Sequence, residues 1–183
     1  MITNIKFREI RAIILDRDGV INKKPDGDES SKYVLHPDNL DIYDDFYDFC
    51  GWAAANELPI YVATNQQCLG LGLMSKEQLD GIHEKIQSSL KSRQLPLIEN
   101  FYVCGHLDGT CSCRKPSPEL IHRIQEDSKL EGIELIFFGD SSSDFEAAKA
   151  AGISFIQVRR GQIQFTDSYI HDFTDLIKMG VTK

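Results

Sequence analysis

The sequence predicts an α/β fold: a doubly wound, Rossmann-like parallel sheet of five or more strands, in one domain spanning 1–183. Three observations predict it. Short unbroken apolar runs, such as Ala12–Leu15 and Leu135–Phe138, suit strands buried on both faces. Stretches with apolar residues at helical spacing lie between those runs. Strand and helix signals alternate along the whole chain, as parallel pairing requires.

In chain order, 11–16 is the first strand, with Ala12, Ile13, Ile14 and Leu15 in a row. Residues 17–40 contain Gly19, Pro25, Gly27 and Pro37 and read as loop. A helix over 41–57 has acidic residues in its first turn and Phe46, Phe49 and Ala53 on one face. Residues 59–63 form the second strand. The helix over 75–93 opens on a capping box, Ser75 with Gln78, and buries Leu79, Ile82, Ile86 and Leu90. A third strand covers 100–103. The helix over 117–129 starts Ser-Pro-Glu, with proline in its first turn. A fourth strand covers 133–138, and a short helix over 143–151 stops at Gly152. A fifth strand over 153–158 and a last helix over 171–179 complete the chain. These elements fill the intervals between the motifs below, which leaves no room for a large cap domain.

Composition excludes several classes. At 183 residues, 42% hydrophobic and 26% charged, the chain is neither disordered nor fibrous. No apolar run approaches the ~18 residues of a membrane span. Asp16 and Asp18 come too early for a signal-peptide core, so a cytoplasmic protein is expected. The net charge of −8 argues against non-specific nucleic-acid binding, which needs a basic face, but leaves a small anionic metabolite as partner. A monomer is expected.

In parallel sheets ligands bind beyond the carboxyl ends of the strands, so the residues there carry the chemistry. After the first strand comes Asp16-Arg17-Asp18-Gly19. Its two carboxylates at i and i+2 share one side of an extended segment. One can attack phosphorus while the other handles the leaving-group proton. Thr64 and Asn65, with Gln66, follow the second strand and offer a hydroxyl and an amide to phosphate oxygens. Arg114-Lys115 lies between the third strand and the third helix and can balance phosphate charge. After the fourth strand, Asp140 can ligate a hard cation together with Asp16, and Asp144 can cap the next helix.

Taken together, Asp16-x-Asp18-Gly-Val, Thr64, Lys115 and Gly139-Asp140-x-x-x-Asp144 resemble the four motifs of the haloacid-dehalogenase superfamily of phosphatases, in order, over roughly 10–160. The resemblance implies a Mg²⁺-dependent phosphomonoester hydrolase. Asp16 would be the nucleophile and Asp18 the general acid and base. Asp16, Asp18 (by its carbonyl) and Asp140 would hold Mg²⁺. Thr64 and Lys115 would hold the transferring group, and Asn65, Gln66, Gln67 and Arg114 would bind substrate.

Cys104, His106, Cys111 and Cys113 offer three thiolates and an imidazole, a closed tetrahedral zinc set in a loop leading to Arg114. Cys50 and Cys68 read as packing residues. The zinc loop with Asp-Arg-Asp-Gly and Cys-Arg-Lys-Pro is similar to two phosphatase families, acting on heptose 1,7-bisphosphate and on histidinol phosphate. Asp16 to Asn22 and Val158-Arg159 lean to the heptose family; the short zinc loop leans to the other. Two readings from other classes are a zinc-stabilised interaction module and a DNA 3′-phosphatase. For substrate recognition, Lys23, Lys24, Arg114, Arg159 and Arg160 form a cationic rim, and Asp26, Asp28, Glu29 and Asp108 an anionic one. The cationic set points to a phosphosugar, with heptose 1,7-bisphosphate as the specific expectation.

Overall fold

The computed structural model describes residues 2, 5–25 and 33–181. Six parallel strands form one sheet: β1 (Ala12–Leu15), β2 (Ile60–Asn65), β3 (Asn100–Cys104), β4 (Leu135–Gly139), β5 (Ser154–Val158) and β6 (Tyr169–Ile170). Their order is β3-β2-β1-β4-β5-β6. The chain leaves β1 in one direction to build β2 and β3, then returns to the other side for β4 to β6. The crevice therefore opens between β1 and β4, which pair from Ala12↔Leu135 to Leu15↔Phe138.

The four side chains of β1 are all buried, and they alternate between two cores. Ile13 and Leu15 join one core with Ile60, Val62, Ile136 and Phe138. Ala12 and Ile14 join the other with Ala63, Leu135 and Phe137. Helix α1 (Asp44–Ala55) packs Phe46, Phe49, Cys50 and Ala53 into the first core. There Phe49 stacks on Phe173 of α6 (Phe173–Lys178) at 4.0 Å. Helix α3 (Lys76–Ser92) starts on the expected Ser75–Gln78 capping box and buries Leu79, Ile82, Ile86 and Leu90. On the opposite face lie α4 (Glu119–Ser128), through Leu120, Ile121 and Ile124, and α5 (Ser142–Ala150), through Ala147 and Ala148.

Several short elements differ from the sequence expectation, among them a helix, a strand and the 3₁₀ turn Pro37–Asn39 inside the expected loop. A four-residue helix, α2 (Gln67–Gly70), stands where loop was expected, so Cys68 is helical and fully buried. Strand β6 is two residues long, too short to leave an alternation pattern. No helix among the described residues is long and apolar enough to cross a membrane.

Candidate active site

The strand ends converge on a cleft of about 380 Å³. Asp16 follows β1 and Asp140 follows β4, while Thr64 and Asn65 end β2. Arg114 and Lys115 reach the cleft from the loop after β3, and Asp18 lines it as well. Lys24, Tyr33, Ser141, Ser143 and Asp144 also line it. Gly19 lets these parts meet. Its φ is +92°, and a Cβ there would sit 2.0 Å from an Asp140 carboxylate oxygen.

Lys115 is 3% exposed. Its ammonium donates to Asp16 Oδ1 at 2.8 Å and to the Ala63 carbonyl at 2.7 Å, and lies 2.6 Å from Asp144 Oδ1. Two of its three hydrogens are thus spent on Asp16 and Ala63, while Asp144 Oδ1 is held by charge and has no hydrogen-bond partner. Burial opposes its charge, but Asp144 and Asp16 outweigh burial and raise its pKa. Asp144 is fully buried and takes a second task, accepting from the backbone N–H and the hydroxyl of Ser141 to cap α5.

Burial pushes the Asp16 carboxyl up to about 7; Lys115 opposes the shift, and Asp144 and Asp140 add to it. Asp140 is raised too, by burial first. Its Oδ2 accepts from Gln162 at 3.0 Å and pairs with Lys24, while its Oδ1 is buried with no hydrogen-bond partner. Asp16, Asp140 and Asp144 thus bring three buried carboxylates within 4.8 Å of one another. Mutual repulsion and an orphaned acceptor oxygen fit a hard divalent cation.

Asp18 is held differently. Arg17, fully buried, donates to both of its oxygens, at 3.0 and 2.8 Å. Asn22 donates to Oδ1 and Gln66 to Oδ2, at 2.9 and 2.8 Å. Burial opposes ionisation, yet Arg17, Asn22 and Gln66 outweigh it and hold the carboxyl below its usual range.

The thiol cluster lies beside the cleft. Sγ atoms of Cys104, Cys111 and Cys113 are 3.2–3.6 Å apart. His106 Nδ1 is 3.3 Å from Cys113 and 3.7 Å from Cys104. Ligands around a tetrahedral thiolate-bound ion are separated by roughly 3.7 Å, so the four donors fit one. Both ends of this loop are tied to β2. Gln66 N–H donates to Cys104 O at 2.7 Å, and the Asn65 side chain exchanges two hydrogen bonds with the Lys115 backbone.

Residues 65–158, about half of the chain, match the family model of haloacid dehalogenase-like hydrolases. A D-glycero-alpha-D-manno-heptose-1,7-bisphosphate 7-phosphatase of Mycobacterium bovis is 35% identical over 153 residues, covering 80% of this chain and 78% of its own. The chain belongs to the haloacid dehalogenase-like hydrolases. It is a phosphatase. A D-glycero-beta-D-manno-heptose-1,7-bisphosphate 7-phosphatase of Pseudomonas putida is 32% identical over 157 residues, covering 84% of this chain and 85% of its own. The crystal structure of D,D-heptose 1,7-bisphosphate phosphatase from B. bronchiseptica, complexed with magnesium and phosphate, aligns with a TM-score of 0.82 at 26% identity, covering 93% of this chain and 97% of that one.

Not every expected group of the phosphatase reaches its cleft. Gln66 is 1% exposed and faces Asp18, Thr64 and Arg17. Gln67 opens α2 outside the cleft, and the Asn65 amide is spent on the Lys115 backbone although it lines the wall. Arg160 is no rim cation. It pairs with Asp45 at 2.7 Å and lies 3.8 Å over the Tyr43 ring. Arg159 sits over Tyr169, and Lys23 pairs with Asp41 at the surface. Of the cationic set, Lys24 and Arg114 line the cleft. Asp26, Asp28 and Glu29 lie outside the described residues, and Asp108 faces Arg114. Arg17 and its contacts had no sequence signal beyond its place between two aspartates.

Proposed function

We propose that this phosphatase removes one phosphate from D-glycero-D-manno-heptose 1,7-bisphosphate through an aspartyl-phosphate on Asp16. The observation that carries the reading is the charge arrangement of the cleft. Asp16 and Lys115 form a buried pair on its floor, and Lys24 and Arg114 stand on its wall. A monoester needs only the floor; a second phosphate gives Arg114 a partner, Lys24 being already paired with Asp140. Arg114 Nη1 is buried without a hydrogen-bond partner, and its Nε meets exposed Asp108 only at 3.5 Å. A phosphate can outcompete so weak a pair. The names of the two relatives and of the solved neighbour support the same substrate.

In the first half of the reaction an Asp16 oxygen attacks phosphorus and the bond to the sugar oxygen breaks; the proton that oxygen receives comes through Asp18, whose ionised carboxylate must first take it up against the hold of Arg17, Asn22 and Gln66. In the second half Asp18 takes a proton from the water that attacks phosphorus, freeing inorganic phosphate and Asp16. Held by Arg17, Asp18 is ready as the base of this second half. Lys115 fixes Asp16 through Oδ1 and supplies positive charge beside the phosphate, while Thr64 would donate to a phosphate oxygen. Asp16 and Asp140, with the Asp18 carbonyl, would hold Mg²⁺, which offsets charge between carboxylate and phosphate when bound.

The enzyme is proposed to act as a single-domain monomer, with one sheet carrying both cores and the described cleft residues at its strand ends and loops. Five free thiols suit a reducing, cytoplasmic setting.

The test is kcat/KM for heptose 1,7-bisphosphate beside histidinol phosphate, repeated with Arg114→Ala. The bisphosphate is expected to be preferred and to lose roughly 10- to 100-fold in the variant, with the monophosphate little changed. A preference for histidinol phosphate, untouched by the loss of Arg114, would overturn the substrate assignment.

Cys104, His106, Cys111 and Cys113 would hold a structural Zn²⁺, with no position open for water. Elemental analysis should find about one zinc per chain. Cys113→Ser should lower the melting temperature by several degrees. It should cost turnover less, because Asn65 and the Ala63 carbonyl still hold Lys115. Zinc-free protein that melts with the native enzyme would contradict this.

A further inference from the structure

We infer that Gln66 is a positioning residue that sets two catalytic groups at once: it fixes the Asp18 carboxylate and turns the Thr64 hydroxyl hydrogen toward the phosphate. The inference rests on the reading of Asp18 as proton donor to the leaving group.

Gln66 does not line the cleft, yet every polar atom of its side chain is engaged. Nε2 donates to Asp18 Oδ2 and to Thr64 Oγ1, both at 2.8 Å. Oε1 accepts from Arg17 Nη2 at 3.0 Å and from the Cys68 thiol at 3.6 Å. The amide can be placed only one way round. Guanidinium is donor-only, so oxygen must face Arg17, and that turns the nitrogen to Asp18 and Thr64. The backbone is fixed as well, through Gln66 N–H to Cys104 O.

The consequence for Thr64 follows from donor arithmetic. An amide NH₂ cannot accept, so the Thr64 hydroxyl accepts from Gln66 and must send its own hydrogen elsewhere. Thr64 lines the cleft, and a phosphate oxygen is the acceptor that awaits it there. Arg17 serves as the anchor. Fully buried, it is tied to Asp18 and Gln66 together, so it locks the angle between them.

Leaving-group dependence separates positioning from mere structure. An alkyl phosphate needs a proton on its departing oxygen, whereas p-nitrophenyl phosphate releases a stable phenolate without one. kcat/KM reports only the first half of the reaction, where that proton is given. In Gln66→Met, kcat/KM for the sugar phosphate should fall at least about tenfold further than for p-nitrophenyl phosphate. Asp18→Asn should show the same selectivity. Gln66→Glu provides a second variant should Gln66→Met melt below the assay temperature. Its carboxylate would repel Asp18 and draw the Thr64 hydrogen inward. It should show the same leaving-group selectivity and also weaken inhibition by inorganic phosphate by about tenfold. Equal losses on both substrates in the Gln66 variants, with Asp18→Asn still selective, would overturn the inference and leave the mechanism standing. An unselective Asp18→Asn would overturn both.

Discussion

Asp16→Asn is expected to lose on the order of 10⁴-fold or more in kcat while becoming more heat-resistant than the native enzyme in metal-free buffer. The first effect follows from the nucleophile, since an amide cannot form the aspartyl-phosphate. The second follows from burial. Asp16 titrates near 3.8 in the unfolded chain and near 7 in the fold. Between those values the folded state keeps a proton that the unfolded chain has released, so native stability falls as pH rises from about 4 to about 7. The variant has no such slope. Lys115 loses one partner but keeps Asp144 at 2.6 Å. At pH 7.5 the variant should melt a few degrees higher, at roughly 2–4 °C per kcal/mol for a chain of this size. Melting curves from pH 4 to 8, with turnover beside them, check both halves. Retained turnover, or melting profiles that run parallel, would count against the assignment.

Lys115→Met is expected to damage both stability and rate. The ammonium neutralises Asp16 and Asp144 in a site where neither reaches bulk water freely. Removing one partner of a buried ion pair costs about 3–5 kcal/mol because the other charge is left uncompensated. Melting should therefore fall by roughly 10 °C. kcat should fall about 10³-fold, through misplacement of Asp16 and loss of positive charge at the phosphate. Lys115→Arg should rescue little. Two hydrogens diverge from one nitrogen to Asp16 and the Ala63 carbonyl with Asp144 only 2.6 Å away, and a planar guanidinium cannot copy that fit. Full rescue by arginine would show that charge alone matters here.

The sheet was legible because β1, β2 and β4 each carry an unbroken four-residue apolar run with polar residues close behind it, and a parallel sheet leaves few other ways to read them. For the same reason Asp16, Thr64 and Asp140 could be placed, since a strand end fixes where its next residue points. What sequence could not give is the choice of partner. Arg160 and Lys24 read alike as basic loop residues. One is spent on Asp45 behind the site, and the other lines the cleft at Asp140. Gln66 reads as a substrate-binding amide until its neighbours are known; then Arg17 and Asp18 determine which way it faces. Asp144 shows the same limit. Its place before the next helix announces a cap, and the capping contact is there, but the link to Lys115 depends on a loop that Asn65 and the Ala63 carbonyl hold at β2.

The covalent role of Asp16 is the claim on which the rest depends. Rapid quenching of the enzyme during turnover, followed by borohydride reduction and peptide mass analysis, tests it most directly. An aspartyl-phosphate is reduced to homoserine, whereas a free carboxylate is not. Homoserine at position 16, present only with substrate and absent in Asp16→Asn, is the predicted result. Turnover at full rate with residue 16 unmodified, or with the modification on another carboxylate, would contradict it.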